Sequence, residues 1–359
     1  MDANITGVVR SRPGLRSALA TAGLVKLGEV TNRTFVLPFI TFYPTSRCNS
    51  RCISCDWWKQ SGAGDLTLQE IDTVAAALPV LGTRLVAFSG GEPLLRPEVF
   101  EAARMFGARG LILHLLTSGV LLERFAERVA EQFARVVISL DAASEPLYEA
   151  IRGVAALATV ERGVARLRRI APHVPVTARA TLHRGNFREL PVLIAHAKKM
   201  ALDGVSFLAA DVSSSAFGRE RQPDMTALAL SSDEVTEFAA IVEQTITACQ
   251  QEFVSGFVAE SPDKLRRLPR YYAALNGDGV FPSVACNAPW VSVVLEANGS
   301  VRPCFFHQPV GNVREAPIES IVARNLPAFR QSLIVGENAI CTRCVCSMKT
   351  TWRKAPWRQ

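Results

Sequence analysis

Short β-rich runs alternate with helical stretches along most of this 359-residue chain, and this alternation constrains its fold more than any other feature. The strand candidates are residues 39–43, 84–88, 111–116, 135–140, 174–182 and 204–209. The helix candidates that separate them are residues 67–78, 97–107, 121–132, 158–170 and 187–200. Such alternation predicts a parallel sheet with crossover helices. A full eight-unit barrel needs more units than these, so we expect an α/β fold built on a partial, six-strand barrel.

Three cysteines follow the first predicted strand in the arrangement Cys-x3-Cys-x2-Cys, at Cys48, Cys52 and Cys55. Barrel enzymes place their active sites at this end of the strands. Iron–sulfur clusters are usually held by four cysteines, so three thiolates on one short loop can bind three irons of a 4Fe–4S cube and leave the fourth iron open. Zinc is the weaker alternative, because structural zinc needs four nitrogen or sulfur ligands and the nearest histidine is His114.

The nine cysteines of the chain are grouped rather than scattered. Residues 15–27 do not resemble a secretory signal, because polar and charged side chains interrupt them. Grouped cysteines in such a chain indicate metal ligands rather than disulfides, and we therefore expect a reducing compartment, the cytoplasm. No uninterrupted apolar run has the length of a membrane-spanning helix.

The net charge is +7, and two segments concentrate it. Residues 3–28 contain four basic and no acidic residues, and the tail from Lys349 to Arg358 interleaves basic residues with Trp352 and Trp357. A basic excess can indicate nucleic acid, anionic lipid or an acidic substrate. We interpret both segments as solvated surface with no nucleic-acid partner, and keep binding of the first to a membrane surface as the lesser alternative.

The second predicted strand ends in the turn Ser89-Gly90-Gly91-Glu92-Pro93. Glycines let backbone groups approach closely, and a carboxylate suits an ammonium group. With the three-cysteine loop one strand earlier, this turn resembles the radical S-adenosylmethionine (SAM) enzymes, and the resemblance extends over about residues 39–209. It implies that the open iron of a 4Fe–4S cluster binds the amino and carboxylate groups of SAM, and that Gly90, Gly91, Glu92 and Pro93 bind its amino group.

The same resemblance implies further contacts to SAM at the ends of the next strands. Ser118 follows the third strand, and Ser139 and Asp141 lie two residues apart on one side of the fourth. The latter two are implied to contact the ribose or the carboxylate of SAM, although Asp141 could equally cap the next helix. Arg179 stands between two alanines on the fifth strand. Its guanidinium suits a carboxylate, and we expect it to bind that of methionine; an edge arginine that reaches solvent is the alternative.

One position departs from the family pattern. The residue before the third cysteine is often aromatic in radical SAM enzymes and packs near adenine, and here it is Ser54. Trp57 and Trp58 follow directly after Cys55, so one of them could replace that packing, or both could belong to the core.

The C-terminal part of the chain holds a second cysteine group at Cys286, Cys304, Cys341, Cys344 and Cys346. Between the first two, an apolar run followed by Asn-Gly predicts a β-hairpin. The Gly-x4-Cys and Cys-x2-Cys spacings resemble the SPASM/Twitch extension of radical SAM enzymes, and five cysteines suit its short Twitch form with one auxiliary 4Fe–4S cluster. The implied ligands are Cys286, Cys304, Cys341 and Cys344, with Cys346 as a spare that could replace Cys344. A zinc ribbon is the alternative, because four thiolates in two pairs suit zinc equally well.

These motifs divide the chain into five regions. They are an N-terminal segment (1–38), a partial (β/α)6 TIM-like barrel core (39–215), a helix and linker (216–283), a small cysteine-rich Twitch/SPASM domain (284–350) and a basic tail (351–359).

The resemblance implies an oxidoreductase-like enzyme that uses SAM and two clusters. Reductive cleavage of SAM would give a 5′-deoxyadenosyl radical that abstracts a substrate hydrogen. A reductant such as flavodoxin or ferredoxin would supply the electron, and the auxiliary cluster would accept one from the substrate. Because few residues precede the barrel, we expect a small-molecule substrate. A SPASM-type peptide-modifying maturase and, from another class, a non-catalytic iron–sulfur or zinc scaffold are the alternatives.

Overall fold

The computed structural model describes residues 15–219 and 225–350. Within them one sheet runs in the order β6-β5-β4-β3-β2-β1-β7-β8-β9. The strands are β1 (Phe39–Phe42), β2 (Leu85–Phe88), β3 (Ile112–Thr117), β4 (Arg135–Ser139), β5 (Val176–Leu182), β6 (Gly204–Ala209), β7 (Ser292–Leu295), β8 (Ser300–Arg302) and β9 (Gly311–Asn312). Neighbouring strands from β1 to β6 pair in parallel, as the alternation predicts for a partial barrel.

Helices connect these strands and continue beyond them. They are α1 (Leu15–Thr31), α2 (Leu68–Ala77), α3 (Val99–Ala108), α4 (Leu122–Gln132), α5 (Glu145–Arg152), α6 (Leu157–Ile170), α7 (Leu190–Lys199), α8 (Met225–Leu228), α9 (Ser232–Ala248), α10 (Gln250–Val254), α11 (Pro262–Leu265), α12 (Arg267–Leu275), α13 (Ala288–Val291), α14 (Ile318–Ser320), α15 (Leu326–Gln331) and α16 (Ala339–Thr342). The five predicted crossover helices appear as α2, α3, α4, α6 and α7, each close to its predicted bounds.

The main core lies between the sheet and the crossover helices. Phe42 on β1 and Phe88 on β2 pack edge to face with ring centroids 5.3 Å apart. Phe106 of α3 lies 5.3 Å from Phe42, and Phe133 lies 5.3 Å from Phe88. Because apolar residues fill this layer, the polar residues that follow β1 to β6 are left at the strand ends.

The C-terminal cysteine-rich region is joined to the barrel through the sheet. β7 pairs in parallel with β1, with Phe39 opposite Ser292, and β8 then pairs antiparallel with β7. This is the hairpin predicted from Asn-Gly, and Gly299 in its turn has φ +87°, which favours glycine. The hairpin thus places the second cysteine group beside the first strand of the barrel.

The sequence predicts a linker or lid at residues 255–282, and the structure corrects this. The segment contains α11 and α12, whose prolines stand in the first helical turn, where the missing N–H costs nothing. Tyr272 of α12 is fully buried, and its hydroxyl donates to the Leu182 carbonyl at 2.6 Å and accepts from the Ala210 N–H at 3.0 Å. This helix therefore holds the ends of β5 and β6.

Both basic segments reach beyond the described residues, which begin at α1 and end at Thr350. Within residues 15–219 and 225–350, none of the helices combines the length and the apolar content needed to cross a bilayer.

Candidate active site and second cysteine cavity

A cleft with about 1250 Å³ of empty space opens at the carboxyl ends of the barrel strands. Most of the residues predicted to hold a cluster or SAM line it together: Cys48, Cys52, Cys55, Gly90, Gly91, Ser118, Ser139, Asp141 and Arg179. Parallel strands bring their carboxyl ends to the same edge of the sheet, which is why residues so far apart along the chain meet here.

The glycine turn after β2 packs directly on the cysteine loop. The Gly91 N–H donates to the Thr45 carbonyl at 3.2 Å, and the Glu92 N–H donates to the Arg47 carbonyl at 2.8 Å. A Cβ on Gly91 would lie 2.0 Å from the Arg47 carbonyl oxygen, and Gly90 has φ +103°. The two glycines are therefore required for the contact between this turn and the cysteine loop.

The end of α5 holds the opposite side of the cysteine loop. The N–H groups of Arg51 and Ile53 donate to the carbonyls of Arg152 and Ile151, at 2.7 and 3.0 Å. Gly153 ends the helix with φ +66°, and a Cβ there would lie 2.7 Å from the Arg51 carbonyl oxygen. The last carbonyls of α5 are thus used to position the loop rather than left to water.

A third support comes from residues 211–219 after β6, a segment whose sequence predicts a loop. The Asp56 N–H donates to the Phe217 carbonyl at 2.9 Å, and Phe217 has φ +64°, which is uncommon for a residue with a side chain. Arg219 donates to the Ser54 carbonyl and pairs with Asp211 at 3.0 Å, both side chains being 3% exposed. An aspartate and an arginine in one polar loop were the only sequence signal for this buried pair.

Burial shapes the chemistry of the three thiols. It raises the pKa of Cys48 to about 11 and that of Cys55 to about 12, and it also raises the pKa of Cys52. The positive charges of Arg152 and Arg219 oppose these rises for the Cys52 and Cys55 thiols. The metal-free thiols therefore keep their protons at neutral pH, and binding of iron would displace them.

Two residues that were predicted to contact SAM, Glu92 and Pro93, are buried in the protein instead of facing the cleft. Glu92 is fully buried and does not line the cleft: its carboxylate accepts from the Thr117 hydroxyl at 2.8 Å and from the N–H groups of Ser118 and Leu94, at 2.6 and 3.0 Å. Pro93 is buried beneath the turn. Glu92 therefore fixes the end of β3 relative to the glycine turn. Of the four residues in this turn that were predicted to bind SAM, only Gly90 and Gly91 line the cleft.

Asp141 lines the cleft and is tied to two elements. It pairs with Arg152 at 2.9 Å and accepts the Thr181 N–H at 2.8 Å. The residue at the start of α5 is Ser144, so the alternative in which Asp141 caps this helix is wrong.

Arg179 lies on an interior strand. β5 pairs with β4 on one side and with β6 on the other, so the alternative is wrong in placing Arg179 at a sheet edge. It is right that the side chain reaches solvent, because Arg179 is exposed. Its Nε donates to the Ser206 hydroxyl at 3.2 Å, and the side chain lines the cleft. The guanidinium is therefore placed where a carboxylate in the cleft can reach it.

The two tryptophans after Cys55 differ in position. Trp57 lines the cleft beside Ser54 and packs edge to face on Tyr43, with ring centroids 5.6 Å apart. Trp58 is 37% exposed and lies under the Lys59 ammonium, outside the residues that line the cleft. Of the two, Trp57 is the one that can replace the missing aromatic residue at position 54.

A second cavity lies in the C-terminal region. Cys286, Cys304, Cys341 and Cys344 line it together with apolar side chains, and its empty space is about 330 Å³. Burial raises the pKa of the last three thiols to about 12. Within the described ranges, no three cysteine, histidine or acidic side chains converge closely enough to bind one metal ion. The four thiols share one cavity, so they can supply the ligands of one auxiliary cluster.

Cys346 lines the cleft, whereas Cys344 lines the four-cysteine cavity. Cys346 is still near this group, because burial and then the charge of Cys346 raise the pKa of Cys286 and of Cys344. The geometry favours Cys344 as the fourth ligand, and the choice between the two cysteines stays a prediction. The sequence offers His307 as a remote ligand candidate, although a histidine in a loop is more often solvated. The residue is 4% exposed, and its Nε2 lies 3.2 Å from Cys341 Sγ. Phe306 lines both the cavity and the cleft and therefore lies between them.

Two family models match the chain. The model of the radical SAM superfamily matches residues 42–195, and that of the SPASM iron–sulfur cluster-binding domain matches residues 286–345. The first match runs from β1 into α7, and the second spans the four-cysteine cavity.

Similar proteins include a curated enzyme and solved structures. The PqqA peptide cyclase of Rhodopseudomonas palustris is 29% identical over 322 residues, which cover 88% of this chain and 76% of the cyclase. Streptococcus suis SuiB bound to its precursor peptide SuiA has a TM-score of 0.62 at 15% identity, covering 100% of this chain and 84% of SuiB. Native anSMEcpe with bound AdoMet has a TM-score of 0.62 at 19% identity, covering 86% and 88% of the two chains. At these identities the two structures show a shared fold.

Proposed function

We propose that this chain, which belongs to the radical SAM superfamily and carries a SPASM iron–sulfur domain, modifies a peptide. Its cofactors are SAM, the 4Fe–4S cluster that binds SAM, and auxiliary iron–sulfur. The observation that carries the peptide proposal is the alignment with a peptide cyclase along 88% of this chain, through both the barrel and the cysteine-rich region. The expectation of a small-molecule substrate has narrower support, since a GTP 3′,8-cyclase of Marinobacter nauticus is 31% identical over only 47% of this chain.

The donor groups at the barrel end fit these cofactors. Cys48, Cys52 and Cys55 share one loop that three elements hold, and all three line the cleft. When bound and reduced, the first cluster supplies the electron that splits SAM into methionine and a 5′-deoxyadenosyl radical, which takes a hydrogen atom from the substrate. Arg179 then provides a charge for the methionine carboxylate, and the glycine turn provides backbone groups for its ammonium.

Further polar groups surround the same space. Ser118 and Ser139 line the cleft beside Asp141, where their hydroxyls can bind the ribose or carboxylate of SAM. Glu92 acts through the turn that it holds, since its carboxylate accepts from β3 rather than facing the cleft.

The second cavity supports an oxidative outcome. Cys286, Cys304, Cys341 and Cys344 provide four thiolates for the auxiliary cluster, and Phe306 separates their cavity from the cleft. A substrate radical in the cleft would therefore lie near an electron acceptor. Loss of a hydrogen atom to the 5′-deoxyadenosyl radical, followed by loss of an electron to this cluster and of a proton, would leave the peptide two hydrogens lighter.

The cleft also has room for a segment of a peptide. It is open to solvent and is lined both from the barrel and from the cysteine-rich region. Because one wall comes from the barrel and the other from the cysteine-rich region, an extended chain can lie between them.

Anaerobic turnover with pooled candidate substrates tests the proposal. The reconstituted enzyme is reduced with dithionite and incubated with SAM and either a random-sequence peptide pool or a pool of sugars and alcohols. We expect the peptide pool to increase the formation of 5′-deoxyadenosine and mass spectrometry to find peptides that have lost hydrogen. The variant Cys48→Ala/Cys52→Ala/Cys55→Ala is the control and should cleave no SAM.

Stimulation by the sugar and alcohol pool alone would contradict the peptide proposal. Absence of SAM cleavage with every pool would instead favour the non-catalytic iron–sulfur scaffold. The same assay with flavodoxin or ferredoxin in place of dithionite examines the proposed reductant.

A further inference from the structure

The residues around the cleft fall into two groups with different chemistry. One group is polar or charged, comes from the ends of β3, β4 and β5, and includes Ser118, Asp141 and Arg179. The other group is aromatic or aliphatic and includes Phe217 and Phe306, and the Asp211–Arg219 pair lies in the same loop as Phe217. The charged groups of SAM match the first group, so the second remains available for the part of the substrate that enters the cleft.

The second group includes three phenylalanines, Phe217, Phe305 and Phe306, which we call the aromatic wall. Phe217 comes from the loop after β6, and the other two come from the C-terminal region directly after Cys304. The rings of Phe217 and Phe306 lie 6.0 Å apart at 76°, and those of Phe305 and Phe306 lie 6.4 Å apart at 65°. Two separate parts of the chain thus build one surface of edge-to-face rings.

We infer that the aromatic wall binds the aromatic side chain of the peptide residue that is modified. This inference rests on the proposed function and names the class of peptide residue that the aromatic wall selects. Ring edges and faces arranged in this way favour a further aromatic ring over an aliphatic chain. An acidic side chain would lose its hydration there without gaining a partner, because Arg219 already pairs with Asp211. A cation could bind a ring face, but the Arg219 guanidinium already lies over the Phe217 ring, 5.3 Å from its centroid.

The position of the wall also connects this selection with the second cavity. Phe306 is 6% exposed and lines both spaces. An aromatic residue held against it is separated from the four-cysteine cavity by one phenyl ring. The same contact that selects the side chain therefore places a substrate radical beside the proposed electron acceptor.

The peptide pool of the turnover experiment tests the inference when the modified peptides are sequenced. We expect Tyr, Phe and Trp at the modified position to exceed their share of the pool by about tenfold, the upper range for one favourable ring–ring contact. Modified positions that follow the composition of the pool, or that are mainly aliphatic, would overturn the inference and leave the proposed function intact. A pool without modified peptides would overturn both.

Variants separate selection by the wall from general damage. Phe306→Leu removes the ring while keeping an apolar side chain, and Phe217→Leu does the same from the barrel side. We expect each to lose most of the aromatic preference while SAM affinity and iron content stay at wild-type values. Phe281→Leu is the matched control, because this ring packs on Tyr271 at 5.8 Å and does not line the cleft. An unchanged preference in both variants of the wall, or an equal loss of SAM affinity, would show that the wall does not select the substrate.

Discussion

Arg179 shows how a single side chain acquires its role from its place in the sheet. It lies on an interior strand between two buried alanines, and its exposed side chain lines the open cleft. We predict that Arg179→Ala weakens SAM binding by about 1.5–3 kcal/mol, the range for a lost hydrogen bond to a charged group. Isothermal calorimetry under anaerobic conditions measures this. Arg166→Ala is the control, since Arg166 pairs with Glu127 on the surface, and unchanged affinity in Arg179→Ala would refute the carboxylate role.

Cys344 and Cys346 are two residues apart but line different spaces. We predict that Cys344→Ser reduces the iron content from about eight to about four atoms per chain, because a four-cysteine cluster loses a ligand. Cys346→Ser should retain about eight atoms. Iron and sulfide analysis after reconstitution distinguishes the two variants, and the reverse result would make Cys346 the ligand.

At the scale of elements, the start of α2 joins the barrel to the C-terminal region. The Thr67 hydroxyl accepts the Glu70 N–H at 3.2 Å, and the Glu70 carboxylate accepts the Thr67 N–H at 2.7 Å, forming a capping box. Arg314 donates to the same carboxylate at 2.6 Å. Hydrogen bonding from Arg314, with further bonds from Thr67, lowers the pKa of Glu70 from its ordinary 4.5 to about 2.

This shift predicts a pH-dependent contribution to stability. Because the pKa is lower in the folded state, Glu70 stabilises the fold above the unfolded pKa, and the contribution is lost as the pH falls towards 2. Glu70→Gln keeps a capping side chain but loses the ion pair, so we expect it to lower the free energy of unfolding by up to about 1 kcal/mol at pH 7, as for partly exposed pairs. The difference in the free energy of unfolding between wild type and Glu70→Gln should become smaller below about pH 5.

Anaerobic urea unfolding at several pH values between 7 and 4 measures the effect. The control is Glu101→Gln, at an exposed position on α3, for which we expect no such trend. A difference between wild type and Glu70→Gln that stays constant over this range would rule out the ion pair as its source.

At the scale of the whole molecule, the barrel and the C-terminal region act as two cluster-binding units with one cleft between them. We predict that Cys286→Ala/Cys304→Ala still cleaves SAM, because the three thiols of the barrel loop are untouched, but makes less oxidised peptide. The ratio of product to 5′-deoxyadenosine reports this uncoupling. Since metal binding and folding are coupled, circular dichroism must first show a folded variant. Full product formation by a folded variant would assign the second cluster a structural role.

Much of the fold could be predicted because its signals are local. Alternating β-rich and helical runs indicate a parallel sheet wherever they occur, and all six barrel strands appear close to their predicted positions. The Asn-Gly hairpin is equally local. The linker prediction at residues 255–282 failed because two prolines were interpreted as breaks, whereas each stands in the first turn of a helix.

The sequence by itself determined the chemistry of this protein: three cysteines in one loop, a glycine turn one strand later, and a second group of cysteines, each defined by spacing along a short segment. Only the tertiary structure decided which residues share a space. It buried Glu92 against the end of β3, brought Arg219 and Phe217 onto the cysteine loop, and placed Cys344 and Cys346 in the linings of two different spaces. The physical reason is that spacing fixes contacts within a loop or a turn, whereas contacts between distant segments depend on how the sheet and helices pack.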